Sequence, residues 1–92
     1  MLKIRIDYTK VAEKFFIKHE DVRNDFKRNI VKIITGNHPE QVNFKNLKGE
    51  LKGYSRIAID NYRVIYKKTE DIIVIVSVIL AGTRGDVYKH IH

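Results

Sequence analysis

The 92-residue chain carries eighteen Lys and Arg against eleven Asp and Glu, a net charge of +7, and contains no cysteine. That length suits one small domain with a core of its own, and the missing thiols exclude disulfides and thiolate metal sites. A positive surplus of this size on a small surface points to a polyanionic or acidic partner, nucleic acid or protein.

The first residues, Met1-Leu-Lys-Ile-Arg-Ile-Asp7, mix charge into every second position. This rules against a signal peptide. No apolar run approaches the roughly 20 residues of a membrane span, so a cytoplasmic protein without membrane contact is expected. Leu2, Ile4 and Ile6 alternate with Lys3, Arg5 and Asp7, the period of a half-buried strand that joins the main sheet. Thr9 is a candidate N-cap for a short helix ending near Lys18, in which Val11, Ala12, Phe15 and Phe16 recur at helical spacing. Val22, Phe26, Ile30, Ile33 and Ile34 then mark one face of a second helix over residues 21–35, with Arg23, Lys27, Arg28 and Lys32 on the other. Gly36, Asn37 and Pro39 stop it. Residues 37–52 show little periodicity and read as a loop, anchored by Phe44 and Leu47 and decorated by Lys45, Lys48 and Lys52.

Two strands follow, Tyr54 to Ile59 and Tyr62 to Lys67, joined by Asp60-Asn61, residues that tolerate the positive φ of a tight hairpin. A two-residue turn sets Ile59 opposite Tyr62, Ile57 opposite Val64 and Ser55 opposite Tyr66, all on a face suited to burial under helices. The other face carries Tyr54, Arg56, Arg63 and Lys67. Ile72 to Leu80 is apolar without alternation, as in a central strand, and ends at Gly82. Beyond it, Thr83-Arg84-Gly85 is able to turn the chain back toward the basic face, with Tyr88 four residues after Arg84. The whole predicts a two-layer α+β domain over residues 1–92: an N-terminal strand and helical hairpin packed on a mainly antiparallel four-stranded sheet.

Arg56, Arg63 and Arg84, with Tyr54 and Tyr88, are expected to converge on the sheet face the helices leave open. Arginine holds phosphate through a planar donor fork, and neighbouring aromatic rings stack unpaired bases. Single-stranded RNA fits that combination. For Arg56 or Lys67 taken alone, the plainer reading is a solvated strand position. Tyr62 and Tyr66 read as core. His19 and His38 sit at helix boundaries, where capping or exposure is the simpler role. His90 and His92 lie beyond Tyr88, and an imidazole there is able to move a proton near neutral pH. Two terminal histidines do not make a metal site, so neither a metal nor another cofactor is expected.

Phe44-Lys-Asn-Leu-Lys-Gly-Glu-Leu-Lys-Gly-Tyr54, Arg56-Ile, Asn61-Tyr-Arg-Val-Ile-Tyr66 and Ala81-Gly-Thr-Arg-Gly-Asp-Val-Tyr88, in this order and spacing, resemble the RelE/ParE superfamily of bacterial and archaeal toxins. The likeness covers nearly the whole chain. It implies a toxin neutralised by a cognate antitoxin, with DNA reached only indirectly, through the antitoxin. In the RelE branch it implies a ribosome-dependent endoribonuclease that cuts mRNA without a metal and inhibits translation. The ParE branch inhibits DNA gyrase instead, and a decayed toxin acting as a binding module is a further alternative. On the RelE pattern, Arg63 and Arg84 hold the scissile phosphate, Arg56 stands where the best-known member has lysine, and Tyr88 stacks on or orients a substrate nucleotide. Ala58 departs from the pattern, replacing a lysine proposed to assist proton transfer, which leaves Tyr54, His90 or a ribosomal group for that role. Lys45, Lys48, Lys52, Lys67 and Lys89 are the expected contacts to RNA or ribosome.

Overall fold

The computed structural model describes residues 3–70 and 73–89, with Tyr88 described by its backbone alone. In chain order it contains β1 (Ile4–Tyr8), α1 (Lys10–Lys18), α2 (Glu20–Thr35), β2 (Phe44–Asn46), β3 (Ser55–Ile59), β4 (Tyr62–Glu70), β5 (Val74–Thr83) and α3 (Arg84–Lys89). The strands form one sheet in the order β1-β5-β4-β3-β2. β1 runs parallel to β5, and the other neighbours pair antiparallel.

The first half follows the sequence pattern closely. The Thr9 hydroxyl accepts a hydrogen bond from the Ala12 amide at 3.2 Å and so caps α1, satisfying one of the donors a helix start leaves over. Gly36, at φ 71° and ψ 17°, ends α2 in the left-handed conformation that glycine adopts without steric cost. Ala12 and Phe16 of α1 and Val22, Phe26 and Ile30 of α2 are buried against Ile57, Val64, Tyr66, Val76 and Val78 of the sheet. Phe26 bridges the layers, with ring centroids 6.2 Å from Phe16 and 5.8 Å from Tyr66. Each large apolar side chain withdrawn in this way contributes about 1.5–3 kcal/mol.

The β3–β4 hairpin has the expected register, Ser55 with Tyr66, Ile57 with Val64 and Ile59 with Tyr62. Its turn depends on Asp60 at φ 53°. β5 lies between β1 and β4, and its pairing with β4 slips at Ile65/Tyr66. The slip sets Leu80 opposite Ile65 and Gly82 opposite Arg63.

Four expectations change. The sheet has a fifth strand, β2, because Phe44, Lys45 and Asn46 pair with Ile57, Arg56 and Ser55 inside the segment read as loop. Phe44 is no anchor: it shares a face with Ile57 but stands at the sheet's outer edge, 40% exposed, and Val42 is the buried residue of this segment. β5 continues to Thr83, and the chain after it is a helix, α3, whose start is capped by a hydrogen bond from the Asp86 amide to the Thr83 hydroxyl at 3.2 Å. Finally, the sheet face away from α1 and α2 is not fully open. A Cβ on Gly82, which shares that face with Arg63, would lie 3.5 Å from the Val87 side chain. α3 therefore covers part of this face, where Ile65 is completely buried.

The basic face of α2 is also less free than its spacing suggests. Arg23 pairs with Glu13 at 3.7 Å and lies over the Tyr8 ring at 4.7 Å, and Arg28 is bonded to Asp25. Lys27 and Lys32 remain.

Candidate nucleic-acid interface

Strand register arranges the cations in rows across the face opposite α1 and α2. Lys45, Arg56, Ile65 and Leu80 form one row, and Ala58, Arg63 and Gly82 the next. Arg56 and Arg63 are diagonal neighbours, which in an antiparallel pair lie roughly 7–8 Å apart. One row the other way, the Lys67 ammonium sits 5.9 Å from the centre of the Tyr54 ring, within cation–π range.

Arg56 and Arg63 are docked by their side chains. Arg63 Nη1 donates to the carbonyls of Asp60 at 3.1 Å and Tyr62 at 2.9 Å. Arg56 Nη2 reaches Asn43 Oδ1 at 3.4 Å. The Nε groups of both are buried without a hydrogen-bond partner among the described residues. Arg84 opens α3 with an exposed side chain, and its amide donates to Asn61 O at 3.1 Å. The Asp60–Asn61 turn thus holds Arg63 by its side chain and Arg84 by its backbone.

These residues form no ion pair among the described residues, as is also true of Lys10, Lys14, Lys18, Lys27 and Lys32 elsewhere on the surface. The ion pairs among the described residues join Arg5 to Asp7, Arg23 to Glu13, Arg28 to Asp25, His38 to Glu40 and Lys68 to Glu70. None includes Lys45, Lys48, Lys52, Arg56, Arg63, Lys67, Arg84 or Lys89. Arg63 donates to carbonyls, which accept its hydrogen bonds without cancelling its charge. A polyanion meets an uncompensated field here.

Not every expected residue joins the group. Lys48 and Lys52 flank the 3₁₀ turn Gly49–Leu51, outside the rows that carry the arginines. Lys89 is exposed in the last turn of α3. The Tyr88 side chain, His90 and His92 lie outside the described residues. Among those described, no group of three or more His, Asp or Glu is placed to hold a metal ion, and no helix is long and apolar enough to cross a membrane.

Sequence reading also missed an aromatic cluster beside the arginines. Phe15 and His19 stack at 4.2 Å with 10° between their planes, and Tyr62 meets them at 5.3 and 5.0 Å. His19 does cap a helix boundary, Nδ1 lying 2.9 Å from the Phe15 carbonyl oxygen. Tyr62 packs on the core yet stays half-buried. The signal was present as Phe15 and His19 at i, i+4, but their juxtaposition with Tyr62 is tertiary.

The fold is similar to that of RelE-like toxins of solved structure. YafQ from E. coli strain BL21(DE3) superposes with a TM-score of 0.65 at 20% identity, over 94% of this chain and 99% of that one. A chain of the RelB–RelE antitoxin–toxin complex from Methanococcus jannaschii superposes with a TM-score of 0.61 at 21% identity, over 94% of this chain and 99% of that one. No family model and no curated protein sequence matches the chain. At such identity the likeness establishes the fold, and function has to be argued from the site.

Proposed function

We propose that this chain is the toxin of a toxin–antitoxin pair and an endoribonuclease that cuts mRNA on the ribosome. One observation carries the reading: Arg63 and Arg84, from separate elements, are brought to the same turn, and neither forms an ion pair among the described residues. The fold shared with RelE and the family resemblance of Asn61 to Tyr66 and Ala81 to Tyr88 support it.

The chemistry follows from the residues present. The 2′-hydroxyl of one nucleotide attacks the adjacent phosphorus, charge accumulates on the non-bridging oxygens, and the P–O5′ bond breaks. Arg63 and Arg84 stabilise the developing charge, the kind of electrostatic term that commonly dominates catalysis. Arg56, one diagonal away, contacts the same phosphate or the attacking hydroxyl. Ala58, directly opposite Arg63, has no proton to give or take. Arginine is a poor base at its ordinary pKa, so proton transfer falls to Tyr54, to His90 or to a ribosomal group. Tyr88 positions the base.

The products of this scheme are a 2′,3′-cyclic phosphate and a 5′-hydroxyl. End-group analysis of the fragments tests it, and a 5′-phosphate with a 3′-hydroxyl would overturn it. A gyrase inhibitor has no evident need for paired arginines at one turn, and a supercoiling assay separates the two readings. The cognate antitoxin, in this reading, lays an acidic segment over Lys27 and Lys32 or over the basic sheet face. Operator DNA is then contacted through the antitoxin.

A further inference from the structure

β1 stops short of its neighbour. Its last pair is Tyr8 with Val78, after which the Thr9 amide donates to Val78 O at 3.0 Å, its hydroxyl donates to Ile79 O at 2.8 Å, and the chain leaves for α1. Residues 80–83 of β5 therefore run on with no strand on that side among the described residues. A half-open cleft of about 340 Å³ lies along them, between α1 and α3.

Its walls differ in chemistry. The stacked Phe15 and His19 rings and the tilted Tyr62 ring make one wall aromatic, and Asp86 of α3 lines the other. No cation pairs with Asp86 among the described residues. A planar heterocycle with donors on its edge matches both walls, since aromatic rings stack bases and a carboxylate only accepts hydrogen bonds.

The cleft lies at the same end of the sheet as the arginines, with Arg63 turned by the pleat to the face opposite Tyr62. Tyr62 and Thr83 are cross-strand partners and both line the cleft. The next residue after each is an arginine, Arg63 and Arg84. Base wall and arginines thus meet at one end of the sheet, Arg63 following Tyr62 on the opposite face of β4 and Arg84 following Thr83 as the first residue of α3.

We infer that this cleft is a nucleobase subsite of the nuclease proposed above, taking the base of a nucleotide next to the phosphate held by Arg63 and Arg84, and that Asp86 selects guanine. The inference rests on that nuclease reading for the identity of the phosphate. Guanine alone presents two parallel donors, N1–H and N2–H, to one carboxylate. Adenine and cytosine offer a single exocyclic amine, and uracil one ring N–H. A bidentate pair of this kind discriminates between bases by roughly tenfold or more.

The test uses the full chain, its Asp86→Asn variant and its Val11→Trp variant, titrated with guanosine, adenosine, cytidine and uridine 5′-monophosphates while NMR follows Phe15, His19 and Tyr62. Val11 lines the cleft and is 58% exposed, so the larger ring fills the space without entering the core. The expected result is perturbation of all three rings, tightest with the guanosine nucleotide, lost in Val11→Trp, with the guanine preference reduced roughly tenfold in Asp86→Asn. Unperturbed rings, or four nucleotides bound equally, would overturn the inference. Parallel cleavage mapping keeps the two proposals apart. A protein that cuts mRNA but leaves these rings unperturbed loses the subsite and keeps the nuclease, whereas guanine-selective perturbation without any cutting removes the nuclease and retains a nucleotide-binding cleft.

Discussion

Arg63 and Arg84 reach the same turn by different means, and that difference makes their roles separable by mutation. Arg84 is tied through its amide, so Arg84→Ala leaves the tie intact and removes only an exposed side chain. Stability should stay within about 0.5 kcal/mol of wild type, while cleavage falls about 10²–10³-fold, the usual loss for one donor to a developing oxyanion. Arg63→Ala should show the same kinetic loss plus about 1 kcal/mol of destabilisation, because its guanidinium also bonds the turn carbonyls. Denaturant titration beside single-turnover cleavage reads both. Tyr66 gives a prediction independent of function. Burial pushes its phenol up to about 12, against a smaller opposing pull from the Ser55 hydrogen bond. The unfolded phenol ionises near its ordinary value of about 10. Between these values the unfolded chain has lost a proton that the folded chain keeps, so stability falls as pH rises through that window. Wild type should therefore lose more stability than Tyr66→Phe between about pH 9 and about pH 11.5, by on the order of 1–2 kcal/mol, measured as the shift in urea midpoint.

Elements differ in how far their own residues specify them. β1, α1 and α2 carry clear periods, and the β3–β4 register follows once Asp60-Asn61 is read as a two-residue turn; these parts were legible. β2 and α3 were not, and for physical reasons. Phe44-Lys-Asn46 has no alternation and is a strand because β3 offers it an edge. Arg84-Gly-Asp-Val-Tyr-Lys89 is too short for a helical period and includes a glycine that weakens helices. Its order comes from the Thr83 cap and from Val87, buried over Gly82. The candidate arginines were legible by type and face, but the docking of Arg63 on the turn carbonyls and the cleft beside it depend on packing between distant segments. Thr83→Val should consequently loosen α3 more than the domain. Removing a helix cap costs about 1 kcal/mol, which predicts roughly fivefold faster amide exchange at Asp86 and Val87, reduced cleavage and protection elsewhere near wild type. Equal acceleration across α2 and the sheet would mean that α3 is part of the global folding unit.

At the scale of the whole molecule, where the surplus is +7, part of the α2 surface pairs internally and the arginine-bearing sheet face forms no ion pair among the described residues. RNA affinity should therefore fall steeply with salt. For single strands the log–log slope is about −0.7 per phosphate neutralised, so Lys45→Gln and Lys67→Gln should each flatten it by roughly that amount in a fluorescence titration. The most direct test of the central claim is in vitro translation with the purified protein, followed by primer extension to map mRNA 5′ ends, beside the same mRNA without ribosomes. The account predicts codon-phased cuts only where ribosomes are present, and their loss in Arg84→Ala. Intact mRNA in both reactions would contradict it.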